Sequence, residues 1–286
     1  MPTKSISIVI PAKNEAENLK NWLPGLVAWG KYDELIVIDD GSIDDTENVV
    51  KGYGAKVIRH SVSLGNGASI KHGARVAVGD LIVFMDGDGQ HQVGDIPRLL
   101  EVMEDGAVDM VVGARNRQGQ ASLARSVANR FYNWFASMVT GHSVKDLTSG
   151  FRIVKAKRFR QFLSLLPNGF SYPTTSTMAF FRSGYQVRYL SIDVLKRQGR
   201  SHIRPMRDGV RFLIIIFKVA TLYSPLKVFL PIAISLFMLG LIRYAYTYVE
   251  MGSFTNMSAL LMVSSVQVFL VGLVSEQITS LMYKEK

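Results

Sequence analysis

No cysteine occurs among the 286 residues, which excludes a disulfide framework, a thiolate metal site and a cysteine nucleophile, and fits a reducing compartment. Acidic residues are scarce: 23 Asp and Glu face 33 Lys and Arg, for a formal charge of +10. That excess predicts an anionic partner, whether nucleic acid, phospholipid or a phosphorylated small molecule. A nucleic-acid partner calls for a recognition helix or stacking aromatics interleaved with the charge, and neither pattern is present. No basic segment with a long apolar stretch precedes the first strand-like run at Ile6, so the N-terminus is expected on the cytoplasmic side. Neither Gly-x-Gly-x-x-Gly nor Gly-Lys-Ser/Thr follows that run, which disfavours a nicotinamide Rossmann domain and a P-loop NTPase.

Charge of either sign is missing from residues 228–242 and 251–275. Extending the first gap to 225–249 gives roughly 25 residues, about 37 Å as a helix, enough for a hydrocarbon core of about 30 Å. Arg243 interrupts it near the far end, among Tyr244, Tyr246 and Tyr248, where an arginine can snorkel and tyrosines form an interfacial belt. A short connector holding Gly252 and Asn256 then leads into a second span, 257–283. The expectation is a two-helix transmembrane hairpin over 225–286. Lys and Arg crowd its inner flank and are absent from its outer connector, so both termini are expected in the cytoplasm of a multi-pass membrane protein. Gly240, Ser258, Ser264, Ser265 and Gly272 suit helix contacts in the membrane, including contacts between copies of the chain in a homo-oligomer. Glu276 and Gln277 are expected at headgroup depth or packed on protein.

Before the hairpin, Lys196, Arg197, Arg200, Arg204, Arg207, Arg211 and Lys218 stand against the single acid Asp208. On a helix beginning after Pro205 the last four basic residues share one face, and FLIIIF (212–217) includes an apolar side. Residues 206–224 are therefore expected to lie on anionic headgroups as an amphipathic interfacial helix.

The first two hundred residues alternate apolar β-branched runs with helical patterns. Runs at 6–10, 35–38, 57–58, 81–85 and 109–112 are separated by helices starting near Glu15, Asp44, Gly67 and Asp95. This predicts an α/β domain, residues 1–205, built on a Rossmann-like, mainly parallel sheet. Ligands of such sheets bind beyond the carboxyl ends of the strands, so the residues there are the ones to inspect. Asp39 and Asp40 close the second run, where a carboxylate can accept from a nucleobase N–H or a ribose hydroxyl. Ser42 and Asp44 read as turn and helix-cap residues. Asp86-Gly87-Asp88 leaves the fourth run, an oxygen-rich corner of the kind a divalent cation bridging a diphosphate requires.

Together with Pro11-Ala12-Lys13-Asn14-Glu15, Val37-Ile38-Asp39-Asp40-Gly41-Ser42, Gly113-Ala114-Arg115, Asp146-Leu147-Thr148-Ser149-Gly150-Phe151-Arg152 and Arg197-Gln198-Gly199-Arg200-Ser201-His202, this pattern resembles the family 2 glycosyltransferases with a GT-A fold. It is similar, more narrowly, to the polyprenyl-phosphate glycosyltransferases that include dolichol-phosphate mannose synthases and bacterial undecaprenyl-phosphate enzymes. The resemblance implies that Pro11, Ala12, Glu15, Ile38, Asp39 and Asp40, with Asp86, Gly87, Asp88, Arg115 and Arg197, hold a UDP- or GDP-linked sugar. It implies Asp86, Asp88 and Gln90 as ligands of Mg²⁺ or Mn²⁺, and Asp88, Arg115, Arg125 and Arg197 as the catalytic set. Departures from the pattern include Lys13, Asn66 and His202, and the absence of an acid in residues 169–178.

That last absence bears on the acceptor. An attacking sugar hydroxyl needs an Asp or Glu as general base. A phosphomonoester, with a second pKa of about 6, is already largely ionised at neutral pH and attacks unaided. It needs cations to hold it, and Arg115, Arg125 and Arg197 are the expected ones. The reading is inverting transfer from a nucleotide-sugar to a polyprenyl phosphate at the membrane. The rivals are transfer to a hydroxyl of a lipid-linked or polymeric glycan, with Asp146 as base, and a catalytically inactive membrane-tethered scaffold.

Overall fold

A computed structural model describes residues 4–116, 123–169, 171–195, 217 and 220–283; side chains at 123–129 and 131 are not described. Two compact units divide the chain, one made of Met1–Trp134 and His142–Ile203, the other of Phe135–Gly141 and Arg204–Lys286.

In the first unit, β1 (Ile6–Ala12), β2 (Glu34–Asp39), β3 (Lys56–Arg59) and β4 (Leu81–Phe84) alternate with α1 (Ala16–Trp29), α2 (Thr46–Gly52) and α3 (Asn66–Val76). After α4 (Asp95–Glu104) come β5 (Val108–Arg115), α5 (Leu123–Thr140), β6 (Arg152–Lys155), α6 (Ala156–Arg160), α7 (Tyr172–Arg182) and β7 (Gln186–Ile192). The seven strands form one sheet in the order β3-β2-β1-β4-β6-β5-β7. Every pairing is parallel except those of β6, which runs antiparallel to both β4 and β5. The sheet is thus mixed, with a parallel majority. Two of its strands, β6 and β7, lie outside the alternation legible in the sequence.

Alternate side chains of the central strands go to opposite faces. Ile8 and Ile10 join Leu19, Leu23 and Leu26 of α1 in one buried layer, at the spacing that gives a helix a single apolar stripe. The opposite face buries Val9, Phe84 and Ile70, and the Phe84 ring meets that of Phe159 at 4.8 Å and a tilt of 46°. Successive strands diverge from β1: β2 lies on one side of it and β4 on the other. The carboxyl ends of β1 and β4 therefore flank the topological switch point, where an α/β sheet opens a crevice.

The second unit contains α8 (Pro225–Met251) and α9 (Asn256–Met282), 27 residues each. Both are long and apolar enough to cross a membrane, yet only 17% of the most apolar window of each is buried, unlike the core helix of a soluble protein. What they do bury is a seam of small residues at seven-residue steps: Ala233, Gly240 and Thr247 on α8, and Ser258, Ser265, Gly272 and Thr279 on α9. A methyl group at Gly272 would lie 2.7 Å from Phe229 Cβ, and one at Gly240 would lie 3.0 Å from Met262 Cγ. Close approach of this kind is how helices associate where lipid removes the hydrophobic drive. Four of the small residues offered by the sequence for contacts between copies, Gly240, Ser258, Ser265 and Gly272, are consumed inside the hairpin. Gly252, at φ +61°, ends α8 with its N–H on Tyr248 O. Glu276 packs on protein: its Oε2 accepts the Leu226 N–H at 3.2 Å, satisfying one orphan donor at the α8 N-terminus, where a negative charge is favoured.

Candidate active site

The loop after β1 is held by the loop after β2. Asn14 N–H donates to Ser42 Oγ (2.9 Å), Ala16 N–H to Asp44 Oδ2 (3.1 Å) and Glu15 N–H to Thr46 Oγ1 (3.1 Å), while Asn14 Oδ1 accepts from Ile43 N–H (2.9 Å). These bonds keep Asn14 at φ 54°, a left-handed conformation that Asn tolerates better than most residues. Ser42 and Asp44 thus tie two loops together, and Asp44 Oδ1 also accepts the N–H of Thr46 (3.1 Å), the first residue of α2. Pro11 and Ala12 reach across to the fourth strand's exit, since a methyl group at Gly87 would lie 3.1 Å from Pro11 O. The Ile38 side chain is sealed in the core, between Pro11 and Ile58 in the register of the neighbouring strands, which leaves the carboxylates of Asp39 and Asp40 at the strand's exit.

The adjacent carboxylates Asp39 and Asp40 have separate roles. Asp40 accepts from the His60 ring (2.8 Å), Ser63 Oγ (2.7 Å), Leu64 N–H (2.8 Å) and Gly65 N–H (2.9 Å), so it shapes the 63–65 loop. Burial alone would raise its pKa, but these hydrogen bonds outweigh it and bring the group from 3.8 to about 2. Folded Asp40 thus binds fewer protons than unfolded Asp40 in the interval from about 4 to about 2. Its contribution, roughly 2 kcal/mol, is complete above that interval and is lost as the pH falls through it. An Asp40→Asn variant is expected to unfold more easily than the parent at pH 7, with the gap closing below pH ~2. Thermal unfolding from pH 7 to pH 2 in detergent checks this; a gap independent of pH would assign the effect to something other than ionisation. Asp39 is different. Its Oδ1 accepts from Ser42 N–H (2.8 Å), while its buried Oδ2 has no hydrogen-bond partner, only Arg59 Nε at 3.7 Å. A buried lone pair without a donor is costly, and Asp39 is the member of the pair with capacity left for a ligand.

On the other side of the crevice, Asp86 lies between Gly150 and His91. A methyl group at Gly150 would fall 2.5 Å from Asp86 Oδ2, so only glycine leaves room for this carboxylate. His91 Nε2 is 3.4 Å from the same oxygen, and its ring stacks on Phe151 at 5.0 Å. Burial pushes the Asp86 pKa up, and His91, Arg115 and Arg152 together pull it below its ordinary value. Asp88 Oδ1 accepts Gln90 N–H at 3.2 Å. Gln90 is drawn to the β7 exit: its Nε2 donates to Leu195 O (3.2 Å) and Leu195 N–H donates back to Gln90 O (3.0 Å). Only its amide oxygen is left for a cation. Trp22 Nε1 fixes the turn from the α1 side through Gly87 O (3.2 Å).

Do these residues fit a cation? Among the described residues no group of three or more His, Asp, Glu and Cys side chains forms a closed site. Two carboxylates on an open corner, one in a cradle that a Cβ would fill, suit a divalent ion that keeps water and takes substrate phosphate oxygens.

Arg115, at the end of β5, is locked to Asp146 as a fork: Nε to Oδ2 at 2.8 Å and Nη2 to Oδ1 at 3.0 Å, with Nη2 also donating to Thr148 Oγ1. Burial disfavours the cation, but Asp146 more than offsets it and raises the Arg115 pKa; the same contact, against burial, lowers that of Asp146. Arg152 is no surface residue. Fully buried, it donates from Nη1 to Pro173 O (3.0 Å), Ser176 Oγ (2.8 Å) and Thr177 Oγ1 (3.1 Å), and from Nη2 to Ser149 O. Asp39's spare oxygen, the Arg115–Asp146 fork and buried Arg152 all depend on contacts distant in sequence, although the acids and arginines themselves stood in recognisable motifs. Arg197 and most of 206–224 lie outside the described residues, as does the Arg125 side chain on α5.

Glycosyl transferase family 2 matches residues 7–181, and the GtrB C-terminal hairpin matches residues 224–281. The chain is 27% identical to glycosyltransferase AglJ of Haloferax volcanii over 98% of its own length and 96% of that protein's. It is 32% identical to the undecaprenyl-phosphate 4-deoxy-4-formamido-L-arabinose transferase of Yersinia pestis, over 61% of this chain and 58% of that enzyme. The fold is shared with glucosyl-3-phosphoglycerate synthase of Mycobacterium tuberculosis, solved with Mn²⁺, UDP-glucose and phosphoglyceric acid: TM-score 0.62, 21% identity, 76% of this chain and 80% of that one. A GT-A sheet opening at β1 and β4, an acidic turn at that opening and a C-terminal pair of apolar helices thus have one common context, and the chain belongs to glycosyl transferase family 2 as a glycosyltransferase with a membrane hairpin.

Proposed function

We propose that this glycosyltransferase moves one sugar from a UDP- or GDP-linked donor to a polyprenyl phosphate, with inversion, at the cytoplasmic face of the membrane. The observation that carries the reading is that the acid best placed to serve a hydroxyl acceptor as base is already engaged. Asp146, the base a hydroxyl acceptor would use, has both oxygens engaged by Arg115 and Thr148 and a lowered pKa. The start of α7 offers only the buried hydroxyls of Thr174, Thr175, Ser176 and Thr177. A phosphate nucleophile has no proton to lose.

In this mechanism Asp39 and the β1 loop hold the nucleoside, with Pro11, Ala12 and Glu15 beside it. Asp86 and Asp88 would hold Mg²⁺ or Mn²⁺, which when bound offsets the charge developing on the departing diphosphate. Arg115, kept rigid by Asp146, stabilises the same charge. Arg125 and Arg197 are assigned to the phosphates; Arg197 follows the anchored Leu195 by two residues. Residues 1–205 are assigned to the catalytic domain and 225–286 to the anchor, with both termini cytoplasmic. The name of the Yersinia relative, an undecaprenyl-phosphate transferase, supports the acceptor class.

The test is to incubate protein in lipid with labelled UDP- and GDP-sugars, Mg²⁺ or Mn²⁺, and either undecaprenyl phosphate or undecaprenol. Lipid-linked sugar is expected with the phosphate alone. Equal transfer to the alcohol, or transfer only to a glycan hydroxyl, would overturn the reading.

A further inference from the structure

The transfer reaction leaves two histidines beside the crevice unused. His60, buried at the exit of β3, points Nδ1 at Asp40 Oδ1 (2.8 Å) and Nε2 at His72 Nδ1 (3.0 Å) on α3, with the two ring planes at 8°. The protons along this chain can be counted. Each Asp40 oxygen accepts two hydrogen bonds and the group is ionised at neutral pH, so it has no proton to give and His60 Nδ1 carries one. The contact between the rings then holds a single proton, on His72 Nδ1 when both rings are neutral. One added proton leaves that contact whole, because either ring can be the imidazolium. A second does not fit: two N–H groups would meet head-on, with like charges on adjacent rings.

The surroundings oppose that second charge. Burial first, then His60 and Arg75, hold the His72 pKa below its ordinary value. Lys71, next to His72, is turned to Leu166 O and Asn168 Oδ1, Arg160 of α6 to Ala74 O and Ala77 O, and Arg59 of β3 to Glu47. Among the described residues the acid bonded to the pair is Asp40. What the pair supports is a wall of the crevice. Asp40 N–H donates to Ala12 O (2.8 Å) at the β1 exit, and its side chain shapes the 63–65 loop. That loop has no slack: a methyl group at Gly65 would lie 2.5 Å from Asn168 O, and the N–H groups of Gly67 and Ala68 donate to Gly169 O (3.2 Å) and Asn168 O (3.1 Å).

We propose that His60 and His72 are a positioning pair for the donor pocket: one shared proton keeps Asp40 and the 63–65 loop in place beside Asp39, and a second positive charge on the pair releases them, so that acid weakens nucleotide binding. The inference rests on the reading of the β1 and β2 loops as the nucleoside site.

The full chain and its His72→Asn and His72→Phe variants, in detergent and without metal, are titrated with UDP and GDP at pH ~7.5 and pH ~5, on either side of the ordinary histidine pKa. Asparagine offers an N–H at the place of Nδ1 but no charge; phenylalanine offers neither. From the higher pH to the lower, the parent's Kd is expected to rise about tenfold and that of the asparagine variant by no more than about threefold. The phenylalanine variant is expected to bind about tenfold more weakly than the parent already at the higher pH. Thermal unfolding without nucleotide is a second readout. Folded His72 binds fewer protons than unfolded His72 below the ordinary pKa, so the parent loses stability as the pH falls through that interval, and the asparagine variant is expected to lose less. Equal pH dependence in the parent and the asparagine variant, by binding and by melting, overturns the pair. No binding of either nucleotide to any of the three proteins overturns the donor reading instead, and the melting profiles then decide the proton coupling by themselves.

Discussion

Replacing Asp88 by alanine is expected to lower sugar transfer on the order of a thousandfold, the effect of several kcal/mol of lost transition-state charge stabilisation at 1.4 kcal/mol per factor of ten. The corner supports this because it has so few ligands. With no third His, Asp, Glu or Cys in a metal-holding group among the described residues, losing either carboxylate of the Asp86–Asp88 pair halves the protein's charge on the ion. Stability should hardly change, since Asp88 is partly exposed at a turn and lies outside the buried core. The unfolding midpoint is expected within about 2 °C of the parent. Nucleotide binding without metal should persist, because the β1 and β2 loops are untouched. Turnover at saturating Mn²⁺, paired with a thermal scan, checks both halves. A variant within tenfold of the parent would mean that no cation is held at this turn.

Arg152→Met is the mirror case, a large cost in stability at a residue outside the cleft. Among the described residues no carboxylate bonds to this guanidinium; its hydrogen-bond partners are two carbonyls, two hydroxyls and the Met110 thioether, the Tyr172 ring lies 5.8 Å from it, and its Nε has no partner. Burial pushes its pKa down. Methionine fills much of the volume but takes the donor from Ser149 O and from the Ser176 and Thr177 hydroxyls, while Pro173 O keeps those two hydroxyls as donors, for an expected loss of about 3 kcal/mol. Lysine at 152 should rescue only part of this, because one ammonium cannot reproduce the planar fork. Thermal unfolding of both variants in detergent measures the difference. An Arg152→Met protein as stable as the parent would show that the hydroxyls of α7 find other partners.

The first four strands, the fifth and the helices between them were legible because each strand holds an apolar run and is bounded by turn residues. β6 was not, since a four-residue strand that begins with arginine carries too little pattern, and arginine is by default a surface residue. β7, with exposed positions alternating along an edge, reads no differently from a loop. α7 is rich in threonine, a poor helix former, and becomes a helix because tertiary packing buries it on every side. The acidic corner was visible as Asp86-Gly87-Asp88, but the division of labour between Asp39 and Asp40 was not. It depends on His60 and Ser63, twenty residues downstream, which occupy one carboxylate and spare the other. The Arg115–Asp146 fork likewise joins residues 31 apart.

The reciprocal pairing of Gln90 with Leu195 has a mechanical consequence. Leu195 is the last described residue before the chain enters its most basic stretch, and Gln90 stands two positions from Asp88. The two hydrogen bonds tie the exit of β7 to the loop that carries Asp88, so a displacement of Leu195 would pull on Gln90.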